Sequence, residues 1–168
     1  MPPFGRPAIG PRPLDHLFKR VKKLNQNGAN NGGVYVVIQR YSGRKCIEKE
    51  FTPGATIEGK AAHEMTTLRA LKHKNVVEYI DGFLDEHPRQ PYASIYMENC
   101  NLGTLESCLK QHISAGKTIE EGFIWSIWAQ LVNALGYIQH GYQELITVHG
   151  TTTQPADPYW RGIVHRLV

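Results

Sequence analysis

The chain has 168 residues, of which 41% are hydrophobic and 20% charged, and its formal net charge is +4. This length and composition are typical of one ordinary globular domain. They exclude a membrane-spanning helix, because no apolar run approaches the roughly 18 residues that such a helix needs, and no apolar segment near the N-terminus resembles a secretory signal.

Three cysteines, Cys46, Cys100 and Cys108, form no CxxC pair. An odd number of cysteines without metal-ligand spacing argues against structural zinc, and the sequence predicts no metal site. The same pattern favours a reducing compartment, which predicts a cytoplasmic or nuclear protein.

The positive charge is concentrated in residues 1–23, which hold six basic residues and one acidic residue, Asp15. This pattern favours a solvated basic arm. Binding to nucleic acid or to a membrane surface is the weaker alternative, because no aromatic residues alternate with the charges.

Residues 1–14 hold five prolines and two glycines, which predicts a disordered or polyproline-like lead-in. Three segments with strand-like patterns then follow, separated by short turns, and predict an antiparallel meander with the first strand at its edge. These segments are residues 18–24, 34–38 and 45–51. The turn-rich run 25–33 joins the first two strands.

Residues 57–72 change to a helical period, with apolar residues three or four positions apart. Two further strands are predicted at 75–80 and 92–97, with a loop at 85–91 between them. A short helix is predicted at 104–112.

The strongest helical pattern covers residues 119–140. Thr118 and Glu121 match a capping box at its start, and Gly141 is the predicted end. An apolar stripe follows one face of this helix and consists of Ile124, Ile127, Trp128, Leu131, Leu135 and Ile138. We expect an insertion at 141–162 after the helix.

Several short motifs, in this order, resemble the first part of a eukaryotic protein kinase domain. Residues 46–49 (CIEK) resemble the VAIK strand, and residues 71–77 (LKHKNVV) resemble the passage that follows the C-helix. Residues 95–100 (IYMENC) resemble the fifth strand and the hinge. Residues 130–140 resemble the long C-lobe helix, and residues 162–166 (GIVHR) resemble the start of the catalytic loop.

The resemblance covers residues 18–166 and indicates the serine/threonine branch, where the NIMA-related kinases are most similar. It implies an α+β kinase-like fold with a five-stranded antiparallel N-lobe sheet, a C-helix and an incomplete helical C-lobe. The implied domains are the lead-in at 1–14, the N-lobe at 15–98, and the hinge with a partial C-lobe at 99–168.

The resemblance also implies ATP as the cofactor, Mg²⁺ only in a complete domain, and protein substrates or regulators as partners. Lys49 would bind the α- and β-phosphates, and Glu64 would orient that lysine. Met97 would be the gatekeeper, and the backbones of Glu98 and Cys100 would bind adenine.

The implied glycine-rich loop departs from the family pattern. Nine residues separate Leu24 from Val34, more than the pattern has, and Asn25 stands near the first glycine position. Gly28 and Gly32 would serve as the second and third glycines, with Val34 packing on adenine. An ordinary hairpin turn that binds no ligand is the alternative.

The catalytic-loop motif departs further, because Leu167 follows His165 and Arg166 where the family has its catalytic Asp. Leucine cannot accept the proton of a substrate hydroxyl, and the metal-binding Asn and the Asp-Phe-Gly segment are not among these 168 residues. We therefore expect a fragment of a serine/threonine kinase that is not catalytic as written. The alternatives are a pseudokinase-like module that binds a partner on the 119–140 helix face, and an unrelated α+β domain that binds RNA through residues 1–23.

Overall fold

A computed structural model describes residues 12–24, 30–142 and 159–163. Its elements are β1 (Phe18–Leu24), β2 (Asn31–Gln39), β3 (Lys45–Phe51), α1 (Pro53–Ile57), α2 (Lys60–Ala70), β4 (Tyr79–Asp85), β5 (Tyr92–Glu98), α3 (Leu105–Ser114) and α4 (Glu121–His140). They belong to two compact units. The first contains the chain up to Thr66 and Tyr79–Asn99, and the second contains Thr67–Glu78 and the chain from Cys100.

The first unit is built on one five-stranded antiparallel sheet with the strand order β1-β2-β3-β5-β4. The predicted α+β class is confirmed, and so is the place of β1 at an edge of the sheet. Within the described ranges, no helix is long and apolar enough to cross a membrane.

Consecutive residues of β3 point to opposite sides of the sheet, and they define its two faces. The Lys49 face carries Lys49 with its cross-strand partners Val34 and Ile95. The Glu48 face carries Glu48 with its partners Tyr35 and Tyr96.

A hydrophobic core lies on the Glu48 face. Its buried members are Phe18, Val37, Cys46 and Tyr96. The rings of Phe18 and Tyr96 stack with their centroids 4.0 Å apart. Leu14 and Leu17 precede β1 and pack against this core, because residues 12–17 form turns that fold back onto the sheet.

The helix predicted at 57–72 corresponds to α2, and a separate short helix, α1, precedes it. The Thr52 side chain accepts a hydrogen bond from Ala55 N at 3.2 Å and caps α1. Pro53 follows in the first turn, where a backbone N–H would have no partner within the helix, so the proline costs no hydrogen bond. Gly59, with φ 74°, separates α1 from α2. The apolar period alone did not reveal this glycine break.

The strand predicted at 75–80 begins instead at Tyr79 and continues to Asp85. The backbone before it is a turn, because Val76 N donates to His73 O at 3.0 Å and Asn75 N donates to His73 Nδ1 at 3.1 Å. These bonds replace the ladder bonds that a strand would make.

The second unit holds α3 and α4, and its helix caps differ from those predicted. Thr104 and Ser107 form a capping box at the start of α3. α4 begins after Glu120, whose side chain makes no capping bond. The capping box predicted for Thr118 is wrong, because Thr118 lies two residues before the cap position and is too far from the first turn.

The C-terminal end of α4 agrees with the prediction, since Gly141 adopts the left-handed conformation with φ 75°. The helix buries one side, at Asn133, Ala134, Gly136 and Tyr137. Tyr137 accepts a hydrogen bond from Lys72 N at 2.8 Å, and its ring stacks on His73. The stripe residues Ile124, Trp128, Leu131 and Leu135 are exposed.

Residues 159–163, which we name the returning segment, contact the C-terminal end of α4. Trp160 Nε1 and Ile163 N both donate to Ile138 O, at 3.2 and 3.0 Å. Residues 143–158, most of the insertion predicted at 141–162, lie outside the described residues, as do residues 1–11 of the predicted lead-in.

Candidate functional site

An ion pair on the Lys49 face joins β3 to α2. Lys49 Nζ donates to Glu64 Oε1 at 2.5 Å, and the lysine side chain is 20% exposed. The ammonium also lies 4.8 Å from the centre of the Phe51 ring. An ammonium has three donors and this pair uses one, so the lysine can bind an anion such as a phosphate without leaving Glu64.

The close packing of α2 on the sheet depends on a glycine in β4. A Cβ at Gly82 would lie 3.1 Å from Met65 Cε and 2.7 Å from Tyr79 Oη. Met65 follows Glu64 on α2, so Gly82 allows the helix that carries the carboxylate to approach. Sequence reasoning did not single out Gly82, although a glycine inside a strand is a signal of close backbone approach.

The structure brings Val34 and Met97 to the same face as Lys49. Val34 pairs directly with Lys49 and is 4% exposed. Met97 pairs with Ile47, two residues from the lysine on β3. The register thus places two apolar side chains on the same face of the sheet as the cation.

The side chains of Glu98 and Cys100, the two residues predicted to bind adenine through their backbones, do not lie on the Lys49 face with Val34 and Met97. Glu98 pairs with Cys46, which places its side chain on the Glu48 face and leaves only its backbone for a ligand on the Lys49 face. Cys100 follows β5, is exposed, and belongs to the second unit.

Gly32 lies at an irregularity in the pairing of β2 with β3. A Cβ there would lie 2.8 Å from the carbonyl oxygen of Phe51, so the close approach of β3 already requires a glycine. Gly28, the other glycine predicted for phosphate contact, lies outside the described residues.

The predicted catalytic-loop remnant, His165 and Arg166, also lies outside the described residues. Within the part of the chain that is described, no group of three or more His, Cys, Asp or Glu residues could hold a metal ion.

Comparison with known proteins assigns the family. The model of the protein kinase domain matches residues 23–146, well over half of the chain. The chain belongs to the protein kinase domain family.

The relatives of this kinase domain confirm its predicted similarity to NIMA-related serine/threonine kinases. It is 31% identical to the probable serine/threonine-protein kinase nek2 of Dictyostelium discoideum over 75% of the chain and 30% of that protein. It is 32% identical to mouse serine/threonine-protein kinase Nek2 over 67% of the chain and 26% of that protein. The G2-specific protein kinase nim-1 of Neurospora crassa is 32% identical over 56% of the chain and 11% of that protein. The chain thus spans less than a third of the length of these relatives.

The kinase domain also contains a polar network on the Glu48 face that sequence reasoning missed. Glu48 is 0% exposed, and its carboxylate accepts hydrogen bonds from Arg12, Arg20 and Tyr96. Arg20 also binds Glu50 at 2.8 Å. The prediction of a solvated basic arm is therefore wrong for Arg12 and Arg20. Two acidic residues at alternate positions of a strand were the available signal.

The charges of this network hold the Arg20 guanidinium in its protonated form. Burial alone lowers the pKa of Arg20, but hydrogen bonds and charge attraction from Glu48 and Glu50 outweigh it and raise that pKa above its ordinary value. Burial, together with the nearby charge of Glu48, also raises the pKa of the Tyr96 hydroxyl, which stays neutral and donates to Glu48 at 3.1 Å.

Proposed function

We propose that the chain is the nucleotide-binding part of a serine/threonine protein kinase domain and that ATP binds on its Lys49 face. The Lys49–Glu64 ion pair carries this proposal. A strand lysine oriented by a helix carboxylate is the arrangement with which protein kinases position phosphates. Protein substrates or regulators are the partners that this family implies.

Each residue near the lysine has a distinct role in this proposal. Lys49 donates to phosphate oxygens while Glu64 holds it in place. Val34 and Met97 offer apolar surface to the base, and the backbone of Glu98 hydrogen-bonds its edge. Gly28 and Gly32 stay predictions from the sequence for phosphate contact, although the close approach of β3 already accounts for a glycine at 32.

We further propose that these residues do not transfer the phosphoryl group by themselves. Leu167 stands directly after His165 and Arg166, and its side chain has no atom that can accept a proton. The metal-binding Asn and the Asp-Phe-Gly segment of the family are not among the 168 residues. Binding and catalysis therefore require separate tests.

Lys49→Met tests the proposed nucleotide site. The substitution keeps an unbranched apolar side chain but removes the cation, so we expect the Kd for a methylanthraniloyl-labelled ATP analogue to rise about tenfold or more, the equivalent of one charge-assisted hydrogen bond. The measurement is a fluorescence titration, with circular dichroism to show that the variant is folded.

Lys45→Met is the matched control, because Lys45 lies on the same strand and the same face but is exposed. We expect its Kd to stay within about twofold of the wild type, since an exposed charge is screened by solvent. A wild type that does not bind the analogue, or a Lys49→Met variant that binds it equally well, contradicts the nucleotide site. Transfer of radiolabelled phosphate to a protein substrate contradicts only the absence of catalysis.

A pseudokinase-like interaction module is the second candidate, and the exposed side of α4 favours it. Trp125 is 64% exposed and Trp128 is 59% exposed, which is unusual for such large apolar side chains. Partner binding that persists in Lys49→Met, together with no nucleotide binding by the wild type, distinguishes this candidate from the first. A cytoplasmic or nuclear location stays a prediction under both.

A further inference from the structure

The residue next to the nucleotide lysine is a fully buried carboxylate on the other face of the sheet. Glu48 precedes Lys49 on β3, so the two side chains share one segment of backbone and point in opposite directions. A displacement of the backbone at Glu48 therefore also displaces Lys49.

The contacts of Glu48 show what holds it in place. Arg12 Nη1 donates to its two oxygens at 2.8 and 3.1 Å, and Arg20 donates through Nε at 2.6 Å and Nη2 at 2.7 Å. Tyr96 adds a neutral donor at 3.1 Å. A buried carboxylate needs such partners, because an unpaired charge is strongly disfavoured away from water.

Arg12 is the unusual partner, because it lies before the sheet and 36 residues from Glu48 in the chain. It belongs to the segment 12–17, which we name the strap. Arg40 also fixes the strap, since its Nε donates to Asp15 O at 2.9 Å and its backbone N donates to Leu17 O at 2.8 Å.

The charge balance makes Arg12 necessary. Two guanidiniums, Arg12 and Arg20, face three carboxylates, because Glu50 binds Arg20 and Asp15 binds Arg12. Without Arg12, Arg20 alone would face both Glu48 and Glu50. Water can reach the unpaired carboxylate only if Glu48, or the strand that carries it, moves.

We propose that Arg12 is a positioning residue for the nucleotide site: by neutralising Glu48 it holds β3 in the place that keeps Lys49 paired with Glu64. This inference rests on the proposed nucleotide-binding function. It gives the strap a role in ligand affinity in addition to stability.

The test is a double-mutant cycle on Arg12 and Glu48. We expect Arg12→Ala to weaken binding of the labelled ATP analogue about tenfold, the effect of one charge-assisted hydrogen bond. Adding Glu48→Gln removes the uncompensated charge, so Arg12→Ala/Glu48→Gln should return to within about threefold of the wild type. An arginine with only a structural role predicts wild-type affinity in the folded Arg12→Ala variant. All titrations are run at a temperature where circular dichroism shows each variant folded.

Arg40→Ala is the matched control. It removes an arginine that also contacts the strap but has no hydrogen bond or ion pair with Glu48 among the described residues. Affinity close to that of the wild type is expected. A folded Arg12→Ala variant with wild-type affinity, or a double variant no better than Arg12→Ala, overturns the proposal.

A second readout separates this inference from the proposed function. The rate at which an amine-acylating reagent labels Lys49, followed by mass spectrometry, reports the lysine position without nucleotide. We expect faster labelling in Arg12→Ala and the wild-type rate in the double variant. If the wild type binds no nucleotide but this pattern holds, the nucleotide site fails and the positioning role stands; unchanged labelling in Arg12→Ala refutes the positioning role.

Discussion

At the scale of single residues, Tyr92 shows how the buried charges of the Glu48 face act beyond their own contacts. Burial is the main cause that raises the pKa of Tyr92 to about 12. The negative charges of Glu48 and Glu50 raise it further, while the positive charge of Arg20 opposes them. Ionised tyrosine is therefore less favourable in the folded chain than in the unfolded chain.

This shift predicts a loss of stability at high pH. The folded pKa is raised, so its stabilising contribution is complete below the ordinary value of 10.0 and is lost as the pH rises through about 12. Tyr92→Phe removes the ionisable group, so we expect its free energy of unfolding to fall less than that of the wild type between these two pH values. Urea denaturation at each pH measures the difference, and parallel pH profiles for the two proteins would refute the shift.

The residues that could be predicted from the sequence are those that belong to a short sequence motif of a known family. Lys49 and Glu64 were predicted as a pair from short motifs on β3 and on the following helix, and the structure places them in contact. The Arg12–Glu48 pair could not be predicted in this way, because it depends on a strap that folds over the sheet from far along the chain. The sequence shows the basic residues near the N-terminus, but it does not show that Glu48 is the partner of Arg12.

At the scale of secondary-structure elements, local chemistry predicted β1, β3, β5 and the end of α4. It failed at the start of α4. The spacing of Thr118 and Glu121 matches a capping box as well as that of Thr104 and Ser107 does, yet only the second pair caps a helix. Whether a threonine caps a helix depends on the residue at which the helix begins. The periodicity of the sequence does not fix that residue.

These two threonines predict a contrast in stability. Thr104→Ala removes a side chain that accepts from Ser107 N at 3.1 Å, so we expect a loss of about 1 kcal/mol in the free energy of unfolding. Thr118→Ala should change it by less than about 0.5 kcal/mol, because no helix end depends on it. Chemical denaturation followed by circular dichroism compares both with the wild type, and equal losses would contradict the cap assignment.

At the scale of the whole molecule, many large apolar side chains of α3 and α4 are exposed. On α4 they include Trp125, Trp128, Leu131 and Leu135, and Leu109 and Ile113 add to them on α3. Large exposed apolar residues in such number are typical of surfaces that bind a partner or associate with one another.

We therefore predict that the isolated chain self-associates through α4. Trp128→Gln combined with Leu135→Gln should lower its weight-average mass in sedimentation equilibrium and reduce binding of the dye anilinonaphthalene sulfonate. Helical content should stay unchanged, because both side chains point to solvent. Tyr41→Gln is the control, since Tyr41 is 78% exposed but lies in a turn of the first unit. Equal effects of the two changes would show that this helix is not the associating surface.

The returning segment has a consequence for the end of α4. Trp160 Nε1 and Ile163 N both bind Ile138 O, and the Trp160 ring lies against Gly141. The last turn of α4 can therefore fray only if these contacts break.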